Sequence, residues 1–138
     1  MRVLWITYNV FEPFIPFVKG LPTRSAAWTT PLFYSLYKEE NIQLASIATI
    51  EDGEFQTEEI DNILYYSVPI KSGENAELLN EKLIDNYLRA INDFKPDIIH
   101  VHGVENNFGL LRKYVDAKIP IVCSIQGLIN PCYEFLEY

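Results

Sequence analysis

Three observations in this sequence predict a doubly wound, mostly parallel α/β sheet flanked by helices. Short runs rich in Val and Ile recur at 3–8, 42–50, 63–70, 97–102 and 119–125. Amphipathic stretches separate several of these runs, the arrangement expected of strands joined by helical crossovers. The run at 97–102 ends abruptly on His102-Gly103, as a buried parallel strand does when its carboxyl end opens into a site.

Taken in order, Val3 to Tyr8 form the first strand, and Asn9 to Arg24 form a long loop rich in aromatics and proline. Loops of that length in compact domains usually carry function. Ser25 to about Glu39 then reads as a helix, with Trp28, Leu32 and Leu36 at i, i+4, i+8 on one face. Ser25 can cap it. Pro31 is awkward inside it, so the helix either kinks there or starts at Thr30 with Pro31 in its first turn; the shared stripe of Trp28 favours a kink.

Ile42 to Ile50 is the second strand and Ile63 to Ile70 the third. The link between them shows no helical period, so the third strand is expected at an edge, in either direction. Six acids crowd Glu51 to Asp61, which reads as a solvated loop. Ser72 or Asn75 caps a helix to Phe94, with Leu79, Leu83, Tyr87 and Ile91 on its apolar face and Ile84 and Leu88 widening it. Asp97 to His102 is strand four, Glu105 to Ala117 a helix, and Ile119 to Ile125 strand five. The chain stops at Tyr138 after an apolar, unpartnered tail, as expected of a fragment of a longer protein.

A net charge of −8 argues against nucleic acid, since neutralising phosphates takes clustered Lys and Arg. No apolar run approaches the length of a membrane span. The N-terminal run is too short for a signal peptide and lacks a cleavage site, so a cytoplasmic address is expected. Cys123 and Cys132 make neither a disulfide framework nor a zinc pattern, and Cys123 reads as a small core residue.

His100 and His102 are two apart on a strand and share one face. A metal there would need a further ligand from a distant loop, and no His- or Cys-rich partner motif exists. Gln126-Gly127 ends strand five as His102-Gly103 ends strand four; if the strands are neighbours, both polar side chains reach one crevice. Glycine at both exits admits close backbone approach by a ligand, and equally serves a tight turn. The apolar loop residues Phe11, Phe14, Ile15, Phe17 and Val18 could embrace an apolar acceptor, touch a membrane, or fold back on the core. There is no Gly-x-Gly-x-x-Gly after strand one, no Walker A motif and no Gly-x-Ser-x-Gly elbow.

The segment Lys95-Pro96-Asp97-Ile98-Ile99-His100-Val101-His102-Gly103, with Arg2 to Ile6, Gly20-Leu21-Pro22 and Tyr66 to Pro69, resembles the N-terminal half of family 4 retaining glycosyltransferases. These are GT-B enzymes with two Rossmann-like domains. The resemblance implies that this half faces a glycan or lipid-linked acceptor, while a C-terminal domain of the same enzyme binds the nucleotide sugar. It implies transfer with retention and without a metal, with cations and a helix N-terminus stabilising the leaving diphosphate. Those groups, and the family's Glu-x7-Glu motif, would lie in the other half, so this chain alone should be inactive. The resemblance also implies polysaccharide or glycoconjugate assembly, at the inner face of the membrane.

Its candidate acceptor residues are His102, Gly103, Gln126 and Gly127, with Gly20, Arg24 and Trp28 from the first loop. Two positions depart from the family. Ala26-Ala27 stand where many members have Gly-Gly, and Gln126 stands where many have His. Gln cannot act as a base near neutral pH, yet it can hydrogen-bond a sugar hydroxyl. A non-catalytic binding module therefore stays open, as does a stand-alone nucleotide-binding domain, against which the absent glycine fingerprint counts. The open sheet edge would admit a homodimer.

Overall fold

A computed structural model describes residues 1–22, 29–71, 81–103 and 108–125 of the chain. Its strands are β1 (Arg2–Thr7), β2 (Leu21–Pro22), β3 (Gln43–Glu51), β4 (Gln56–Ile60), β5 (Ile63–Ile70), β6 (Ile98–His102) and β7 (Ile121–Ser124). Two α-helices, α1 (Thr29–Tyr37) and α2 (Glu81–Phe94), join them, with 3-10 helices at Glu12–Phe17 and Phe108–Lys113. The sheet runs β4-β5-β3-β1-β6-β7, with β2 added beside β3. All pairings are parallel except β4 with β5 and β2 with β3. The expected doubly wound, mostly parallel α/β architecture is present.

β1 lies at the centre, with Trp5 opposite Ser46 of β3 and His100 of β6. Alternation along the strands separates two cores. On one face Leu4, Ile6, Tyr66, Val68, Ile99 and Val101 pack under α2, whose buried stripe is Leu83, Ile84, Tyr87, Ala90, Ile91 and Phe94. On the other, Val3, Trp5, Leu44, Ala48 and Tyr65 pack against Phe11, Phe14 and Phe33.

The Lys-Pro-Asp entry to β6 has a structural cause. Lys95 takes φ 51° and its N–H caps the carbonyl of Ile91, ending α2 in a left-handed residue before Pro96. Asp97 then accepts the backbone N–H of Arg2 at 2.7 Å, while Arg2 donates from Nε to the Phe94 carbonyl at 2.7 Å. One polar knot ties the end of α2 and the starts of β1 and β6 together.

Several expectations are corrected. The acidic stretch 51–61 is not all loop: Gln56–Ile60 is strand β4, which turns back into β5 at Asp61-Asn62. Both turn residues have positive φ, 51° and 61°, the geometry of a two-residue hairpin that Asp and Asn tolerate. With β4 outside it, β5 is internal and parallel to β3. The buried face of α1 carries Thr29 and Phe33, with Leu36 packed partly against the same core as expected, whereas Leu32 is exposed. Pro31 falls in the first described turn, and its carbonyl accepts the Ser35 hydroxyl at 2.8 Å; Ser25 and Trp28, on which the kink rested, lie outside the described residues. The expected helix 105–117 is, where described, the 3-10 helix Phe108–Lys113. Gly109 weakens its first turn, and Arg112 donates to the carbonyls of Val115, Asp116 and Ile119, closing the end early. Cys123 is exposed rather than core, on β7, which is the edge strand among the described residues.

The long first loop folds back in part. Phe11 and Phe14 are buried, while Ile15 and Phe17 stay exposed. Its far end is clamped by the β3–β5 connection. Gln56 accepts the Lys19 N–H at 2.7 Å through Oε1 and donates through Nε2 to the Phe17 carbonyl at 3.1 Å. Gly20 and Gly53 permit the two backbones to cross: a methyl on Gly20 would stand 2.8 Å from the Glu51 carbonyl oxygen, and one on Gly53 would strike the Lys19 carbonyl. Gly53→Ala should therefore destabilise the fold by about 2 kcal/mol, the cost of overpacking against rigid backbone, read as a shift of the urea midpoint. Gln56→Met should raise amide exchange at Lys19 at least tenfold while leaving amides of β1 and β3 unchanged.

Candidate functional site

The chain leaves β3 and β5 on one side of β1 and returns to β6 and β7 on the other. The carboxyl ends of β1 and β6 therefore flank the topological switch point, where open α/β sheets bind ligands. Three groups meet there. Thr7 ends β1 fully buried; its Oγ1 donates to the Asn9 carbonyl at 2.9 Å and accepts the Asn9 N–H at 3.0 Å. Asn9 extends from that turn and donates through Nδ2 to Thr29 Oγ1 at 3.4 Å, tying the exit of β1 to α1. Across the strand pair, one step beyond the Ile6–Val101 register, stands His102.

His102 is only 3% exposed. Its ring lies 3.9 Å from that of Trp5 and 4.0 Å from that of His100, centroid to centroid. His100 in turn shares a 2.7 Å hydrogen bond between Nε2 and Ser124 Oγ. Burial holds the His102 imidazole well below its usual range, at about 4, and the neighbouring His100 adds to the effect. Burial lowers His100 as well. Both rings are thus neutral near pH 7, each with one donor and one acceptor nitrogen. Such a pair orients neighbours by hydrogen bonding; it does not supply a cation. Among the described residues, no group of three or more His, Cys, Asp or Glu side chains is placed to hold a metal.

Gly103 takes φ 92°, a backbone conformation that disfavours any Cβ, and its N–H donates to the Ser124 carbonyl at 3.2 Å. Turn geometry, then, accounts for this glycine. Gly20 lies in the backbone crossing with Gly53. Arg24, Trp28, Gln126 and Gly127 lie outside the described residues, as do Ala26 and Ala27. The structure therefore brings together His102, Gly103, Thr7, Asn9 and Thr29. Sequence reading missed the last three, though Thr7 and Asn9 stand at the end of the first strand, where the same carboxyl-end rule applies.

A second opening lies at the carboxyl ends of β3 and β5. It is a cavity of about 600 Å³ lined by Asp52, Gly53, Pro69, Ile70, Lys71, Glu81, Lys82 and Leu83. No helix among the described residues is long and apolar enough to cross a membrane.

The mostly parallel, helix-flanked sheet is similar in fold to a GT-B glycosyltransferase domain. The fold matches a solved E. coli structure described as trehalose-6-phosphate bound with UDP-2-fluoro glucose, at TM-score 0.56 and 11% identity. That match covers 91% of this chain, and the chain spans 33% of the other's length. No curated protein matches the chain. The family model for glycosyl transferase 4-like proteins matches residues 26–135, and the chain belongs to that family.

Two measurements test this site. The unfolded chain binds a proton at residue 102 below its ordinary pKa near 6.5, whereas the folded chain does so only near 4. Stability is therefore full above pH 6.5 and falls as pH drops toward 4. Between pH 6.5 and 5 the loss from this residue should be about 2 kcal/mol; His102→Gln should remove that part of the slope in urea melts. Gly103→Ala should cost about 1–2 kcal/mol from its left-handed backbone.

Proposed function

We propose that this domain is the acceptor-facing half of a retaining glycosyltransferase, which moves a sugar from a nucleotide-sugar donor to a glycan or lipid-linked acceptor. The observation that carries the reading is the family match over 26–135, which includes the polar carboxyl edge at His102 and Gly103. The UDP-2-fluoro glucose of the E. coli structure supports a nucleotide sugar as donor. In this reading a C-terminal domain binds the donor and supplies the cations that stabilise the departing diphosphate. The half described here binds and orients the acceptor, and no metal is required.

Within it, Thr7, Asn9 and Thr29 fix the mouth of the first loop. His102, packed on Trp5, sets the exit of β6 as a positioning residue. The setting is polysaccharide or glycoconjugate assembly in the cytoplasm. Exposed Ile15 and Phe17 offer contact with the inner membrane face or a lipid-linked acceptor, and the β7 edge offers a surface for a second copy.

The test is an assay of the full-length protein for release of nucleoside diphosphate from UDP- and GDP-sugars in the presence of glycan acceptors, with product anomers read by NMR. Retained anomeric configuration is expected, and the 138-residue chain alone should give no turnover. Inverted product, or turnover by this half alone, would overturn the assignment. His102→Ala in the full-length protein should lower transfer at least tenfold at a temperature where it stays folded; full activity with native-like melting would remove His102 from the site.

A further inference from the structure

Two buried polar groups lie side by side in one register row, on the face of the sheet that packs under α1. Trp5 Nε1 and Ser46 Oγ have no hydrogen-bond partner among the described residues. Trp5 has no exposed surface, and Ser46 has 1%. They are register partners on β1 and β3, so their side chains leave adjacent strands on the same face. Ser46 also interrupts an apolar series, since Leu44, Ala48 and Ile50 carry this face of β3 into the core. A buried hydroxyl or indole N–H without a partner opposes folding, and native interiors nearly always supply one.

The row forms the floor and walls of a small cell. Across the sheet it runs Tyr65, Ser46, Trp5, His100. Tyr65 and Trp5 stand on strands two spacings apart, about 9–10 Å, with Ser46 between them. Phe33 of α1 roofs the gap: its ring lies 5.2 Å from that of Trp5 and 6.4 Å from that of Tyr65, centroid to centroid. A serine between two large rings leaves the row least filled over its own hydroxyl.

The chemistry of the two groups selects the occupant. An indole N–H only donates, whereas a hydroxyl donates or accepts. The occupant must therefore accept one hydrogen bond from Trp5 and make a second with Ser46. A cation cannot accept. A buried anion would need a counter-charge, and no Asp, Glu, Lys or Arg among the described residues is buried. The aromatic walls and roof admit only a small neutral molecule. We propose that one ordered water bridges Trp5 Nε1 and Ser46 Oγ, accepting from the indole and pairing with the hydroxyl. Phe33 shares the buried face of α1 with Thr29, whose Oγ1 accepts from Asn9 at the exit of β1. The water thereby seats the helix that borders the switch-point crevice, whatever that crevice binds.

The experiment compares the whole chain with Ser46→Ala and Ser46→Val. Water-oxygen magnetic relaxation dispersion counts long-held internal waters without interference from exchanging hydroxyl protons. Ser46→Val fills the space over residue 46 with methyl groups and should lower that count by one. Ser46→Ala removes one partner of the bridge and should reduce the folding equilibrium constant at least fivefold in urea melts. A serine that bridges nothing would give the opposite sign, because deleting an orphaned buried hydroxyl stabilises. Equal or greater stability of Ser46→Ala, or an unchanged water count in Ser46→Val, would overturn the inference. So would a Trp5 indole proton, assigned by its loss in Trp5→Phe, that resonates far upfield, since that N–H would then point at the Phe33 ring.

Discussion

The structure depends on β1 being paired along both edges and buried on both faces. Leu4, Trp5 and Ile6 have no exposed surface, and they lie in register with β3 on one side and β6 on the other. Parallel strands so placed must be covered by helices on both faces, which is why the two cores and the crossover helix follow from this one strand. Its position also fixes the switch point. Because the chain leaves on one side of β1 and returns on the other, the exits of β1 and β6 diverge and leave a crevice. The Arg2–Asp97–Phe94 knot sets the opposite end of the same strands, so the register at the site is held from both ends.

At that crevice the structure changes what His102 can be. On sequence it is a polar residue at a strand tip; in the fold its ring packs, tilted, against those of Trp5 and His100 with almost no exposure. A buried, neutral imidazole orders its surroundings more readily than it exchanges protons with a substrate. The hydroxyls and amide at the exit of β1 share this edge. Recognition there is consequently a property of the edge as a whole.

The β4–β5 hairpin has a comparable effect at a distance. By turning back at Asp61-Asn62 it places Gln56 where one side-chain amide can satisfy both a donor and an acceptor of the first loop. Gly20 and Gly53 then let two backbones approach as closely as hydrogen atoms allow. The loop and the turn bordering the cavity are thereby one mechanical unit, joined to the sheet edge by these hydrogen bonds and by close packing.

The sequence by itself determined the alternation of strands and helices, the parallel class, the span of Ile63 to Ile70, the buried stripe of the Leu83 helix and the carboxyl-end placement of His102-Gly103. Those are periodicity signals, set by neighbours along the chain. The tertiary structure decided the rest. The hairpin at 56–60 was hidden because its residues are polar on an edge strand, where burial leaves no apolar alternation. Phe33 rather than Leu32 faces the core because the rotation of a short helix is set by what it packs on, here Trp5 and Phe11. Likewise the packing of Trp5 on His102, and the crossing of Gly20 with Gly53, join residues far apart in sequence. Such contacts arise only when the register of the sheet brings them together, and no local pattern encodes them.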